Sequence, residues 1–232
     1  MTVVDADLAA LDPDLERNDL PAIVARRLSG RFAIDEWGFD RDLLTAVTPL
    51  VRARWALRIE GGSALPEIGP ALLVHTRRIG LSEPGVLASA VHRVTDRPLR
   101  ATGYLASIPG PLGPLARRLG AVPSGAADLR SLLRAGELVG VPLGRELRIP
   151  THVGVVPVAP IAAALAAGAP IIPVAIVGLE IGRWWTVRFG RPIPTRRRRG
   201  AVDPSAAELA EATRQRLQSL VTDSRRGAAA LR

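Results

Sequence analysis

The stretch from Val153 to Leu179 carries no charged side chain, and this feature constrains the fold more than any other. An uncharged run of this length is long enough to span a bilayer as one helix. Prolines and glycines interrupt it, however, at positions 154, 157, 160, 168, 170 and 173. Because these residues break a continuous helix, the pattern predicts a strand, a helix and a second strand inside a packed core.

From Trp55 onward, short apolar runs alternate with stretches that have helical spacing. The predicted strands are Trp55–Ile59, Ala71–His75, Leu99–Ile108, Ala121–Val122, Leu138–Val141, Ile171–Val177 and Trp185–Phe189. The predicted helices are Pro84–Val94, Leu112–Leu119, Asp128–Ala135, Ala159–Ala167 and Ser205–Val221. Strands that alternate with helices of ordinary length predict an α/β sheet covered on its faces.

Residues 1–50 have a different pattern, which predicts an N-terminal helical extension to an α/β domain at residues 51–232. Apolar and basic residues mix at helical spacing between Leu20 and Leu28, and a second apolar stripe includes Leu43 and Val47. The extension is interpreted as a cap over one side of the core. The alternative is a surface that touches a membrane, with Trp37 at the interface.

Charge and composition restrict the partners. The net charge is +9, and every basic residue is Arg, so an anionic lipid surface or nucleic acid is favoured by charge alone. Aromatic residues make up only 3% of the chain, which leaves few stacking platforms, so nucleic acid is not expected. Cys is absent, which excludes thiolate metal sites and fits a cytoplasmic protein. The acidic N-terminus is unlike a secretory leader. We expect no cofactor and no metal.

Five ordered segments suggest a family. They read W-A-L-R-I-E-G with G-P-A-L-L-V, then L-A-R-R-L-G-A-V-P, L-R-A-G-E-L-V-G-V-P-L-G-R-E, G-A-P-I-I-P-V-A-I-V-G and V-R-F-G-R-P-I. In this order and spacing the chain resembles the phospholipid and glycerol acyltransferase family, of which lysophosphatidic acid acyltransferase is the best-known member. The resemblance covers Trp55 to Val221. It implies a mixed sheet flanked by helices.

The family's first motif is a His followed five residues later by an Asp. The His takes a proton from a glycerol hydroxyl, and the Asp orients the imidazole. If Glu83-Pro84 is aligned with the family's Asp-Pro, Arg78 occupies the position of the catalytic His. A guanidinium with a pKa above about 12 accepts no proton near neutral pH. The resemblance therefore implies a first motif without its base.

The second and third motifs also lack side chains that the family uses. Where the family's second motif has a phosphate-binding Arg, this chain has Ser124 or Gly125. The third motif keeps the turn residues Pro142 and Gly144, but Leu143 replaces a Glu, and Arg145-Glu146 replaces the Thr-Arg pair. The fourth motif, Ile172-Pro173-Val174, is intact and implies an apolar wall. The expected substrate-binding residues are Pro142, Gly144, Arg145, Arg148 and Pro173.

Two questions about these residues stay open at the level of sequence. His75, three positions before Arg78, or His152 is a candidate for a displaced base, although a buried strand-end His is the commoner outcome. Arg78 forms an ion pair with Glu83, or else it collects with Arg145 and Arg148 to bind a phosphate or carboxylate. His92 and Asp96 share a helix face and are interpreted as a surface pair.

These residues lead to a hypothesis of a lipid- or partner-binding pseudoenzyme whose ligand is an acyl chain or a lysophospholipid. The alternative is an active transferase that moves an acyl group from acyl-CoA or acyl-carrier protein to a lipid hydroxyl with a displaced His base. Both hypotheses allow a lipid or acyl-thioester ligand. They also allow peripheral attachment to an anionic membrane surface.

Overall fold

A computed structural model describes residues 20–30, 34–77, 82–107, 109–123, 125–143, 153–196 and 204–229. Seven strands of these residues form one sheet, in the order β1-β7-β6-β2-β5-β3-β4. They are β1 (Ala56–Glu60), β2 (Ala71–His75), β3 (Leu99–Thr102), β4 (Ala121–Val122), β5 (Leu138–Pro142), β6 (Ile171–Gly178) and β7 (Trp184–Phe189).

The sheet is mixed. The strands β6, β2, β5, β3 and β4 are parallel to their neighbours, whereas β7 runs antiparallel to β6 and pairs in parallel with β1. The carboxyl ends of five strands therefore meet at one edge, where ligands usually bind in open α/β sheets. This edge is called the carboxyl edge below.

Helices flank both faces. They are α1 (Leu20–Leu28), α2 (Arg41–Arg54), α3 (Ser82–Thr95), α4 (Leu112–Arg118), α5 (Ala126–Arg134), α6 (Val158–Ala167) and α7 (Ala206–Ala229), with short 3-10 turns at Gly62–Ala64 and Tyr104–Ser107. The prediction of an α/β fold with a mixed sheet and flanking helices is confirmed. Among the helices of the described residues, none is both long enough and apolar enough to cross a membrane.

Alternation along β2 builds the two halves of the core. Leu72 and Val74 join an apolar cluster with residues of α5, α6 and α7, and Leu73 joins a second cluster with residues of α3. Since successive side chains of a strand point to opposite faces, a fully apolar strand is buried on both. All five residues of β2 are buried, as expected for a central parallel strand.

One predicted element was too long. The strand predicted at Leu99–Ile108 ends at Thr102 and is followed by the 3-10 turn Tyr104–Ser107. Gly103 lies between them with φ of 126°, a conformation that other residues rarely adopt, and it turns the chain out of the sheet. The predicted strand is too long because the apolar pattern continues after Gly103.

The described part of the N-terminal extension packs on the domain through polar contacts. Arg100 of β3 is buried and pairs with Asp35 and with Glu137, the latter at 2.8 Å. Its guanidinium carbon also lies 4.8 Å from the ring centroid of Phe39. The backbone N–H of Asp40 donates to the carbonyl of Arg118 at 2.9 Å. The division at residue 50 stays a prediction, and α2 continues to Arg54.

Candidate functional site

His75 ends β2 in the middle of the carboxyl edge. The register places it beside Pro142 of β5 and Val174 of β6. The backbone N–H of Leu143 donates to the carbonyl of His75 at 2.9 Å. The segment before the first motif and the start of the third motif are therefore in contact, because their strands are neighbours in the sheet.

The imidazole of His75 is buried, and its Nδ1 donates to the carbonyl of Thr76 at 2.9 Å. This bond assigns the proton of the neutral ring to Nδ1 and leaves the lone pair on Nε2. Burial lowers the pKa of His75 to about 4, with a smaller contribution from the nearby charge of Arg77. The ring is therefore neutral at pH 7.

Glu83 lies in the first turn of α3 and is buried. A carboxylate there is favoured by the positive end of the helix dipole. Its neighbour Ser82 donates from both its backbone N–H and its hydroxyl to Oε1 of Glu180, at 3.0 and 2.8 Å. Sequence reasoning missed this link between α3 and the β6–β7 loop, because nothing local pairs residues so distant in the chain.

The region of the second motif contains a carboxylate. Gly125 caps α5 and lies three positions after Val122, the last residue of the edge strand β4. A Cβ on Gly125 would lie 2.7 Å from Oδ2 of Asp128, so this carboxylate lies over the glycine. Asp128 was not singled out as a site residue, although it begins the predicted helix Asp128–Ala135 and acidic residues are enriched in the first turn of a helix.

The described residues of the third and fourth motifs include buried apolar side chains. The side chain of Leu143, which the resemblance aligns with the family's Glu, is buried in the cluster with Leu72 and Val74. Pro173 lies buried within β6, opposite Val74. Its carbonyl accepts the backbone N–H of Gly190 at 2.8 Å.

The remaining predicted residues divide into two groups. His92 lies in the last turn of α3 and Asp96 directly follows the helix, with Nδ1 of the imidazole 3.6 Å from Oδ1 of the carboxylate. Outside the described residues lie Arg78, Ser124, Gly144, Arg145, Arg148 and His152. The predicted contacts of those six, including the Arg78–Glu83 pair, stay predictions.

Comparisons with known proteins address the fold. The crystal structure of the 1-acyl-sn-glycerophosphate acyltransferase PlsC from Thermotoga maritima superposes with a TM-score of 0.59 over 80% of each chain, at 16% sequence identity. The two proteins share a fold. An identity this low carries no argument about activity.

Sequence comparison finds relatives without a named function. Uncharacterized proteins of Mycobacterium tuberculosis and Mycobacterium bovis are each 31% identical in an alignment of length 192 that covers 70% of this chain. The alignment covers 52% of each relative, so the chain spans about half the length of the curated relatives that it matches. No protein-family model matches the chain.

Proposed function

We propose that this chain is a glycerolipid acyltransferase-like protein that binds an acyl chain or lysolipid and has little or no acyl-transfer activity. The fold shared with a 1-acyl-sn-glycerophosphate acyltransferase supports the ligand class. The observation that carries the second half of the proposal is the state of His75, a buried imidazole at the carboxyl edge with a pKa of about 4.

Acyl transfer to an alcohol needs a base. The hydroxyl oxygen attacks the thioester carbonyl, the hydroxyl proton moves to the base, and the thiolate leaves. A base works best when its pKa lies near the working pH. With a pKa of about 4, His75 holds a proton about a thousandfold less well at pH 7 than a group with a pKa of 7. Arg78, in the place of the family's His, is already protonated.

The contacts of His75 also differ from those of a catalytic dyad. Its Nδ1–H is bound to a neutral backbone carbonyl, that of Thr76. A carboxylate in that place would stabilise the imidazolium that forms during catalysis, whereas a carbonyl does so less. The Asp128 carboxylate over Gly125 adds a second difference, because it repels a phosphate where the family binds one.

The alternative is an active transferase that uses His75. One observation favours it: the imidazole lies at the carboxyl end of a central strand, with its proton on Nδ1 and the lone pair on Nε2. In this case a bound substrate would have to raise the basicity of the ring.

The first experiment measures turnover. Purified protein is incubated with a long-chain acyl-CoA and monomeric lysophosphatidic acid, and released CoA is measured with a thiol reagent. Since the chain has no Cys, the signal comes from CoA alone. We expect no CoA release above the rate without protein. Clear release that is lost in His75→Gln but kept in the matched variant His92→Gln would establish the active alternative and refute the proposal.

The second experiment measures binding. Thermal unfolding is followed with a fatty acid, a monoacylglycerol, lysophosphatidic acid or glycerol 3-phosphate, each lipid below its micelle concentration. A ligand at a hundred times its Kd stabilises the folded state by about 2.7 kcal/mol. We expect the three acyl ligands to raise the Tm and glycerol 3-phosphate to leave it unchanged. If no acyl ligand raises the Tm, the proposal is wrong.

A further inference from the structure

The β6–β7 hairpin extends beyond the carboxyl edge. The register of β2 with β6 ends at the pair His75–Val174, and β6 continues to Gly178. At about 3.3 Å per residue, the hairpin rises roughly 13 Å past His75. Its tip and the start of β7 expose three large apolar side chains, of Leu179 (69% exposed), Ile181 (93%) and Trp184 (78%).

The exposure of these side chains follows from how the loop is held. Arg54 donates to the carbonyl of Gly182 at 2.8 Å and to the carbonyl of Glu180 at 3.0 Å. The Glu180 carboxylate accepts from Ser82 of α3. These bonds turn the polar groups of the loop towards the protein. In β7, alternation places Trp185 in the core and Trp184 in solvent.

The charges next to the apolar tip are mainly positive. Arg54 and Arg183 are exposed beside it, against one carboxylate, that of Glu180, which is also exposed and accepts from Ser82. Basic residues that flank exposed Leu, Ile and Trp are typical of surfaces that enter the headgroup region of anionic membranes. Trp in particular favours that boundary, because its ring is apolar and its N–H is polar.

The small size of the tip argues against a protein partner. Three side chains bury a few hundred Å² at most, whereas a stable protein interface needs roughly 1,000 Å² or more. Insertion into a bilayer needs no complementary surface and gains free energy from each apolar side chain separately. A convex tip of this kind is therefore better suited to lipid than to a second copy of the chain.

We infer that the tip of the β6–β7 hairpin, formed by Leu179, Ile181 and Trp184 with Arg54 and Arg183, docks the protein on an anionic lipid surface. Because the hairpin rises beyond the carboxyl edge, docking turns this edge towards the membrane. The bond between Glu180 and Ser82 links the hairpin to the start of α3. Docking does not depend on the ligand proposed above or on acyl transfer. It also differs from attachment through Trp37 in the N-terminal extension.

The chain offers a matched pair of variants. Ile181 at the tip and Ile68 are equally exposed, at 93% and 91%, but Ile68 lies in the loop before β2, at the opposite edge of the sheet. The full chain is floated with vesicles of phosphatidylcholine alone or of phosphatidylcholine with phosphatidylglycerol. We expect binding to the anionic vesicles, an about tenfold weaker binding of Ile181→Asp, and no change for Ile68→Asp.

A depth measurement identifies the inserted side chain. With vesicles whose acyl chains carry bromine, we expect quenching of tryptophan fluorescence that is largely lost in Trp184→Phe, while flotation of that variant is kept. No flotation of the wild type on anionic vesicles would overturn the inference, as would equal losses for both aspartate variants. Self-association that Ile181→Asp abolishes would instead identify a second copy as the occupant. The binding assay with monomeric ligands contains no vesicles, so the two proposals fail independently.

Discussion

The imidazole of His75 couples the stability of the protein to pH. Burial lowers its pKa from 6.5 to about 4, so the unfolded chain binds a proton at a higher pH than the folded protein does. The stability that comes from the neutral, buried ring is fully present above pH 6.5 and is lost as the pH falls towards 4. Over that range, we expect protonation of His75 in the unfolded chain to lower the free energy of unfolding by about 3 kcal/mol. Denaturant titrations at several pH values measure it.

The role of His75 is tested by comparing the pH dependence of stability in the wild type and in two variants. His75→Gln also loses a hydrogen bond and lowers stability at every pH, so the slope against pH is compared rather than the absolute value. We expect the slope between pH 6.5 and 4 to become shallower in His75→Gln and to stay as in the wild type in His92→Gln. An unchanged slope in His75→Gln would mean that the ring is not buried in its neutral form.

At the scale of the element, the start of α2 depends on Asp40. Its buried carboxylate accepts the backbone N–H of Leu43 at 2.9 Å and pairs with Arg27 and Arg118. We expect Asp40→Ala to lower the free energy of unfolding by about 2 kcal/mol, because both the cap and the ion pairs are lost. Asp40→Asn keeps a capping oxygen and should lose less. Urea unfolding checks both values.

A control for Asp40 comes from a pair on another helix. Glu211 and Arg214 form an exposed ion pair on α7, 2.6 Å apart. Glu211→Ala should leave the midpoint of urea unfolding unchanged, since exposed pairs contribute little. Equal effects of Asp40→Ala and Asp40→Asn would assign the loss to charge and not to the cap.

For the whole molecule, the question is whether residues 1–50 fold with the α/β domain. Arg100 of the sheet is buried against Asp35 and Phe39 of this segment. Removing the segment leaves the guanidinium with Glu137 and exposes its apolar surroundings. We expect a chain that begins at residue 51 to be less stable by about 3 kcal/mol or more. The full chain should unfold in one transition by circular dichroism and by fluorescence. Two separate transitions would show that the extension is an independent unit.

Much of the fold was predictable because its signals are local. β2 was predicted at its observed bounds, since a buried parallel strand is a short apolar run between turn residues. α6 ends at the predicted residue Ala167, because Gly168 ends the helix with a positive φ, and it begins one residue earlier than predicted. The strand from Leu99 was too long, because its apolar pattern continues past the turn at Gly103.

The candidate site was only partly predictable. The resemblance pointed to His75, Glu83 and Pro142, and sheet register places His75 beside Pro142. The low pKa of His75 was not predictable, because it depends on how completely other elements cover the ring. The bond between Ser82 and Glu180 was equally hidden, because it joins residues that are 98 positions apart in the chain.

The sequence by itself determined the alternation of strands and helices and the apolar central strands, because each is a matter of residue type and spacing along the chain. Only the tertiary structure decided which strands are neighbours, how deeply His75 is buried and that Ile181 lies exposed beyond the carboxyl edge. Burial depends on what the rest of the chain places against a side chain, and no local pattern encodes that.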